Sequence, residues 1–153
     1  MPQPIMSVEQ RAAQLWPLLA YAAARHQLLT YGEVGKLIGV AARGLGKLLE
    51  PVQSYCLLRK LPPLTAIVVR RNTGRPGEGF SAVSDPTQEQ HQVFAFDWLG
   101  HPSPAPAVFA AAVSVLPSCG GFNVNGLDVA RQKFEKILCD MFDRKRDSIS
   151  AKR

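Results

Sequence analysis

Residues Thr30 to Leu49, which read TYGEVGKLIGVAARGLGKLL, constrain the fold of this chain more than any other segment. The Thr30 hydroxyl can accept a hydrogen bond from the backbone N–H of Glu33 while the Glu33 side chain reaches back. This reciprocal capping box is typical of a helix start. Gly39 then supplies a residue that tolerates the left-handed conformation of a helix end. The pattern predicts a short helix followed by a turn.

A second short helix is predicted from about Ala41 to Leu49, with Arg43 and Lys47 exposed. Small residues such as Gly44 and Gly46 allow another backbone to come close. A closely approaching helix with basic exposed positions suits docking on DNA, although a helical hairpin with solvated charges has the same pattern. The apolar residues that we expect this helix pair to bury are Val34, Leu37, Ile38, Leu45, Leu48 and Leu49.

The neighbouring segments extend this pair into a larger unit. Pro and Gly punctuation and β-branched runs predict further helices on both sides and a β-hairpin after them. Three helices followed by a hairpin form a winged helix, whose hairpin tip is the wing. The predicted elements are a helix over Val8–Gln27 capped by Ser7, an additional helix over Val52–Arg59 started by Pro51, a strand over Leu64–Arg70, a turn over 71–77 and a returning strand over Phe80–Val83.

The predicted wing is rich in side chains that suit phosphate contact. Arg70, Arg71 and Arg75 occur within six residues, with Asn72 among them. Arginine stays charged and presents several fixed donors, so a cluster on a protruding loop favours backbone or minor-groove contact. A hairpin tip that merely keeps like charges in solvent is the alternative.

In the order of its motifs, this segment resembles the DNA-binding domain of the O6-alkylguanine-DNA alkyltransferase and alkyltransferase-like family. Tyr31, Gly32 and Glu33 match its YGE motif, and Ala42 to Gly46 approximately match its ARAVG motif. Residues 67–70 lie where the family has HRVV, and the glycines near residues 74–79 resemble its glycine-rich segment. The resemblance covers about Thr30 to Phe80 and implies a winged helix that holds a duplex.

The resemblance does not extend to the reactive residues of the family. Leu64-Thr65-Ala66 replaces its Pro-Cys-His, so Thr65 lies where the nucleophilic cysteine is expected. A threonine hydroxyl without an activating histidine is a poor nucleophile. We therefore expect no alkyl transfer. What the resemblance implies is binding, with Tyr31 and Arg43 near the nucleic acid.

Residues 85–147 are predicted to form a helical extension packed on the unit at 1–84, followed by a basic disordered tail at 148–153. The expected helices are Gln88–Phe96 capped by Thr87, Ala105–Val115 with Pro106 in its first turn, and Leu127–Arg146. Their apolar residues exceed what a small winged helix can cover, which leaves a protein partner or a homodimer open through this region. On the last helix we expect burial of Val129, Phe134, Ile137, Leu138, Met141 and Phe142.

Composition agrees with a globular protein that binds a polyanion. The chain has 153 residues, a formal net charge of +6 and 46% hydrophobic residues. The charge favours DNA, the duplex above all, without requiring it. Three widely spaced cysteines argue against a disulfide framework and for a reducing compartment. Without a secretory pattern or a long apolar run, we expect a cytoplasmic protein and no membrane association.

Catalytic and metal-binding patterns are weak, so we predict no catalytic residue, no metal ligand and no cofactor. Asp97 and His101 are four residues apart, but Gly100 and Pro102 favour a loop, so a site around Asp97, His101 or Glu78 belongs only to the enzyme alternative. The sequence thus predicts an α+β, mainly helical, winged-helix protein that binds DNA without catalysis. The alternatives are a protein–protein adaptor built on the winged helix and, after that, a nuclease or DNA-modifying enzyme. The predicted nucleic-acid-binding residues are Tyr31, Arg43, Lys47, Arg70, Arg71, Asn72 and Arg75.

Overall fold

The computed structural model describes residues 5–76, 86–116 and 124–150 of the chain. In these ranges the protein is mainly helical, with a small sheet of two short strands. The α-helices are α1 (Val8–Ala24), α2 (Tyr31–Ile38), α3 (Leu45–Leu58), α4 (Pro86–Ala95), α5 (Pro106–Val115) and α6 (Val124–Ser150). The strands are β1 (Leu29–Thr30) and β2 (Val68–Val69), and short 3-10 helices cover Ala42–Gly44 and Leu64–Ile67.

The starts of α1 and α2 are both closed by capping boxes. The Ser7 hydroxyl accepts from the Gln10 backbone N–H, and the Gln10 side chain accepts from the Ser7 backbone N–H at 2.8 Å. Thr30 and Glu33 repeat the arrangement at α2, as the sequence predicts. The predicted end of α2 is also confirmed, since Gly39 has a φ of 73° in the left-handed region.

The predicted separate helices at Ala41–Leu49 and Val52–Arg59 are wrong, because a single helix, α3, covers both after a 3-10 turn. Pro51 lies inside α3 rather than at a helix start. Proline removes its own N–H from the helical ladder and its ring crowds the carbonyl four residues earlier, but buried side chains on both sides of Pro51 favour a continuous helix. Leu45 and Leu49 are buried as expected, whereas Leu48 is only partly buried.

The strand predicted over Leu64–Arg70 is mostly wrong, because residues 64–67 form a 3-10 helix and only Val68 and Val69 are extended. These two residues pair in parallel with β1, in the register Leu29 with Val68 and Thr30 with Val69. A parallel partner from a distant segment cannot be seen in a local pattern. The returning strand predicted at Phe80–Val83 lies outside the described residues.

The later helices are close to their predicted positions, with different ends. The helix α4 begins at Pro86, so Thr87 lies inside it and is not its cap, and α4 ends at Ala95 rather than Phe96. In α5, Ala105 is the N-cap and Pro106 occupies the first turn, as predicted. The helix α6 is longer than predicted and includes residues 148–150, for which the sequence predicts a disordered tail.

One continuous apolar core joins α1, α3, α5 and α6. Trp16 of α1 lies at its centre and makes edge-to-face contacts with Tyr55 at 5.3 Å and Trp98 at 5.7 Å between ring centroids. The buried Ser54 hydroxyl donates to the Leu116 carbonyl at 2.9 Å, which fastens α3 to the end of α5. Burial of this kind contributes roughly 25 cal/mol per Å2 of apolar surface. The residues after 85 therefore share their core with the residues before it.

Some residues that we expected in the core are exposed instead. Leu37 on α2 is 60% exposed, and Val129 and Phe142 on α6 are 51% and 56% exposed. On α6, the fully buried face is formed by Ala130, Phe134 and Leu138. Apolar periodicity shows which face of a helix points to the core. Residues at the edge of that face, one position away from its centre, are the ones for which the predicted burial fails. Within the described ranges, no helix combines the length and the apolar character that crossing a membrane requires.

Candidate nucleic-acid interface

Three of the predicted nucleic-acid-binding side chains line one surface cavity, which we call the α3 cavity. Its volume is about 290 Å3. Tyr31 is the first residue of α2, Arg43 lies in the 3-10 turn before α3, and Lys47 lies in the first turn of α3. The remaining lining residues are Gly46, Leu49, Glu50, Gln53 and Thr65. The turn between α2 and α3 thus brings together side chains that are separate in the sequence.

The start of α3 has an unusual charge arrangement for a helix. Its N-cap, Gly44, makes no side-chain hydrogen bond, and its first turn contains no acidic residue. Lys47 lies in that turn and Arg43 directly before the N-cap, and both are exposed. The helix dipole makes cations unfavourable at this end, by about 0.3–1 kcal/mol each in exposed positions. An anion bound between the two side chains would be attracted by both of them and by the helix end, which would offset that repulsion.

Gly46 leaves the floor of the α3 cavity open. A Cβ atom added at this position would meet no other atom within 4 Å. Gly46 also has an ordinary helical conformation, so the glycine is not required by its backbone angles or by internal packing. The absence of a side chain here allows a partner to approach the backbone of α3 closely.

Thr65 is part of the lining of the α3 cavity, and its hydroxyl is buried. The residue is 5% exposed, and its Oγ1 atom has no hydrogen-bond partner among the residues that the structure describes. A buried hydroxyl without a partner costs about 1–3 kcal/mol. This is the position at which the alkyltransferase resemblance expects a cysteine.

The four predicted wing residues form an exposed turn after β2. The backbone N–H of Arg70 donates to the Arg75 carbonyl at 2.8 Å, and that of Gly74 donates to the Arg70 carbonyl at 2.8 Å. Gly74 has a φ of 64°, which closes the turn in a conformation that glycine accepts at no steric cost. Arg70, Arg71, Asn72 and Arg75 all lie on the surface. We call residues 70–75 the arginine turn.

The parallel pairing of β1 and β2 brings the arginine turn next to the start of α2. Both strands end at the same edge of the sheet, so Arg70 follows Val69 where Tyr31 follows Thr30. The charge of Arg71 reaches this region, since it contributes to lowering the pKa of the Glu33 carboxyl, after the hydrogen bonds from Thr30 and the charge of Lys36. Tyr31 thus lies between the α3 cavity and the arginine turn.

Sequence reasoning missed part of this site. Gly46, Glu50 and Gln53 fall on one face of α3 at helical spacing with Arg43 and Lys47, but the helix break assumed at Pro51 separated Gln53 from the others. Glu50 is the single carboxylate among the described lining residues, so Arg43 and Lys47 leave the cavity with a net positive charge.

Asp97 and His101, the residues considered for catalysis that the structure describes, each have a hydrogen-bond partner of their own. The Asp97 carboxylate accepts from the Gly100 backbone N–H at 3.1 Å within its own loop. His101 lies against Tyr55, with the Nε2 and hydroxyl oxygen atoms 3.2 Å apart. Burial, followed by the charge of Arg59, lowers the pKa of His101. Glu78 lies outside the described residues.

The two cysteines in the described ranges, Cys56 and Cys139, are both free thiols in different environments. Cys56 is buried in α3, and burial raises the pKa of its thiol to about 12, which keeps it protonated. Cys139 is exposed on α6. No group of three or more histidine, cysteine or acidic side chains lies close enough to hold a metal ion, in the residues described.

Comparisons by sequence and by structure find no family model, no curated protein and no solved structure that matches this chain.

Proposed function

We propose that this protein binds duplex DNA without catalysis, mainly through phosphate contacts made at the α3 cavity and the arginine turn. The observation that carries the proposal is the meeting of Tyr31, Arg43 and Lys47 on one cavity, at a helix start that has no side-chain cap and no acidic residue in its first turn. Cations placed where the helix dipole opposes them are unfavourable for the isolated protein. They become favourable when a phosphate lies between them, because arginine and lysine both bind phosphate oxygens with charge-assisted hydrogen bonds.

The arginine turn supplies a second point of contact in this proposal. Because Arg70 and Arg71 follow the strand next to Tyr31, a duplex lying across the α3 cavity passes near the turn. Two contact points on one backbone fix the orientation of a duplex better than one. The arrangement we propose is that of a winged helix, with the arginine turn as the wing, as the alkyltransferase resemblance implies.

The test is a salt titration of binding to a labelled duplex and to the corresponding single strand. Phosphate contacts release counterions, so the logarithm of the association constant should fall linearly with the logarithm of the salt concentration. With four to six contacts we expect a slope of about −4 to −5 for the duplex, and weaker binding of the single strand. Binding that does not change with salt, or no binding at low salt, would refute the proposal. Salt-insensitive capture of a protein would support the adaptor alternative.

A nucleotide held in the α3 cavity without chemistry is a second candidate, which the unpartnered Oγ1 atom of Thr65 favours. A duplex with one unpaired nucleotide should then bind more tightly than the fully paired duplex. Thr65→Val keeps the shape and removes the hydroxyl, so it should abolish that preference while leaving binding of the paired duplex unchanged. Removing a buried unpaired hydroxyl should also raise the free energy of unfolding, by about 1 kcal/mol.

Alkyl transfer is not part of either proposal. Thr65 occupies the position of the expected nucleophile, and no histidine lines the α3 cavity among the described residues. Incubation with a duplex carrying labelled O6-alkylguanine should leave the protein unlabelled. Labelling of the protein, retained after denaturation, would contradict the non-enzymatic proposal but not the binding of duplex DNA.

A further inference from the structure

A second cavity lies at the other end of α3, away from the residues proposed to contact DNA. Its volume is about 510 Å3, within the range of pockets that hold small molecules. Its walls come from the end of α3, from the loop and first turn leading into α5, and from the second half of α6. We call it the α6 cavity. None of its lining residues lines the α3 cavity.

Most of the lining is apolar. Leu138 and Met141 lie on one wall with Phe142 at the exposed rim, and Pro104 and Val108 lie on the facing wall. A cavity with this lining favours an apolar body, since transfer of that body from water removes apolar surface on both sides. The 56% exposure of Phe142 is then explained, because an occupant would cover part of that ring.

The polar side chains at the α6 cavity have one sign of charge. Arg59 and Lys145 are both part of the lining, and the described lining residues include no aspartate or glutamate. Arg59 also pairs with Glu135, with Nη1 and Oε1 2.6 Å apart, but a guanidinium has five N–H donors, so this pair leaves other donors of Arg59 for a ligand. The cavity therefore selects an anion rather than a cation.

Uncharged groups add hydrogen-bond donors at the α6 cavity. The Tyr55 hydroxyl and His101 Nε2 share a hydrogen bond of 3.2 Å at the α6 cavity. Ala107 and Val108 line it from the first turn of α5, whose N-cap Ala105 makes no side-chain hydrogen bond. The positive end of that helix thus adds to the attraction for an anion.

We propose that the α6 cavity binds a small carboxylic acid with an aliphatic or aromatic body. The apolar walls hold the body, and Arg59 and Lys145 hold the carboxylate. The volume of the cavity favours a small molecule over a helix or a strand of a partner protein, which would need a longer groove. The site is independent of DNA binding, so either proposal can fail without the other.

Octanoate is a suitable probe, with acetate, 1-octanol and octyltrimethylammonium as matched controls at constant ionic strength. Two-dimensional amide NMR spectra of the full chain would be followed during each titration. We expect octanoate to shift the amides of Ala107, Val108, Leu138 and Met141, and to bind about tenfold more tightly than octanol, since hydrogen bonds to charged groups are worth more than neutral ones. Acetate and the cation should cause no comparable shifts.

Two variants test whether the apolar walls hold the body of the ligand and whether the positive charge holds its carboxylate. Val108→Trp fills the cavity and should abolish the octanoate shifts. Lys145→Gln should weaken octanoate binding about two- to fivefold without changing octanol binding, the size expected for an exposed charge pair. Lys136→Gln, at an exposed position of α6 outside the lining, is the control and should have no effect.

Several outcomes would overturn the proposal. Equal binding of octanoate and octanol, or octanoate affinity that Lys145→Gln leaves unchanged, would show that the charge plays no part. Shifts elsewhere with none at the cavity would place the ligand on another surface. A doubling of the mass in solution, with amide shifts at Met141 and Phe142 that depend on protein concentration in the absence of ligand, would assign the surface to a second copy of the chain instead.

Discussion

The helices α2 and α3 follow one another in the chain, but their first turns are built in opposite ways. At α2, Thr30 and Glu33 exchange hydrogen bonds and place a carboxylate at the positive end of the helix. At α3 there is no side-chain cap and no acid, and Arg43 and Lys47 stand in their place. The arrangement at α2 stabilises its helix, whereas the one at α3 destabilises its helix. Because folding does not explain the cations at the start of α3, we assign Arg43 and Lys47 to binding.

The same contrast appears in the two glycines that follow the helix starts. Gly32 and Gly46 are each the second residue of their helix, and neither is forced to be glycine by its conformation. A Cβ atom at Gly32 would have an ordinary contact of 3.9 Å with the Thr30 hydroxyl, whereas one at Gly46 would project into open space at the α3 cavity. The two helices therefore offer matched positions at which to separate folding from binding.

The largest effect is expected when α3 is given the acidic start of α2. The double variant Arg43→Glu, Lys47→Glu should weaken duplex binding about a hundredfold at moderate salt, to a similar extent for different sequences, and flatten the salt slope by about two. Its free energy of unfolding should rise, since acids replace cations at the positive end of a helix, by about 0.3–1 kcal/mol per residue. Salt-dependent binding and chemical denaturation measure the two effects.

The control for that variant is Lys133→Glu, Lys136→Glu on α6, which changes the net charge by the same amount at exposed positions. If both double variants lose the same affinity, binding depends on the overall charge of the protein and not on the start of α3. A reversal of Arg71 and Arg75 should resemble the α3 variant, because we expect these side chains and Arg43 to lie on one continuous basic surface.

The next effect concerns the close approach at Gly46. Gly46→Gln should weaken duplex binding about tenfold, because a long side chain would stand between the α3 backbone and the duplex. Gly32→Gln should change binding less than about twofold, and both variants should be at least as stable as the original chain, since glycine is a poor helix former. Equal affinities of the two variants for the duplex would show that Gly46 is not part of the interface.

A smaller effect is expected from the side-chain cap of α2. Thr30→Ala removes the capping oxygen and should lower the free energy of unfolding by about 1 kcal/mol, whereas Thr30→Ser keeps the oxygen and should cost much less. Denaturation curves with equal slopes would make the comparison direct. A loss that is the same for alanine and serine would attribute it to the lost methyl group rather than to the cap.

The smallest effect is a dependence on pH. The hydrogen bonds from Thr30, together with weaker attraction from Lys36 and Arg71, lower the pKa of Glu33. A carboxyl with a lowered pKa adds stability above its unfolded value, about 4.3, and loses that contribution as the pH falls through the folded value. Glu33→Gln should therefore flatten the acid side of the melting-temperature profile. Gln10→Glu in α1 should introduce a similar acid dependence, and a profile unchanged by either variant would contradict this account.

The features that could be predicted from the sequence are those fixed within a few residues. Ser7, Thr30 and Gly39 mark helix ends through hydrogen bonds or backbone angles that involve near neighbours, and the structure confirms each of them. The mainly helical fold with a small β component follows from the same kind of signal. Arg43 and Lys47 could be placed on the surface because they lie opposite Leu45 and Leu49 on a helix.

The features that could not be predicted depend on distant contacts. The parallel partner of Val68 and Val69 is β1, and no local pattern identifies it, so the segment resembled the first strand of a hairpin. Pro51 has the signature of a helix start but is held inside α3 by packing on both sides. The cavity itself, and the membership of Thr65 and Gln53 in it, arise only when three separate segments of the chain meet.

The pairing of residues 29–30 with residues 68–69 also has a consequence for the order of folding. The helices α2 and α3 are local structures that can form early, whereas this pairing requires closure of a loop that contains both of them. Two residues on each strand contribute few hydrogen bonds to offset that loop entropy. We therefore expect the arginine turn to reach its place late, after the core around Trp16 has formed. A peptide that contains only the helix pair would lack this surface, however helical it became.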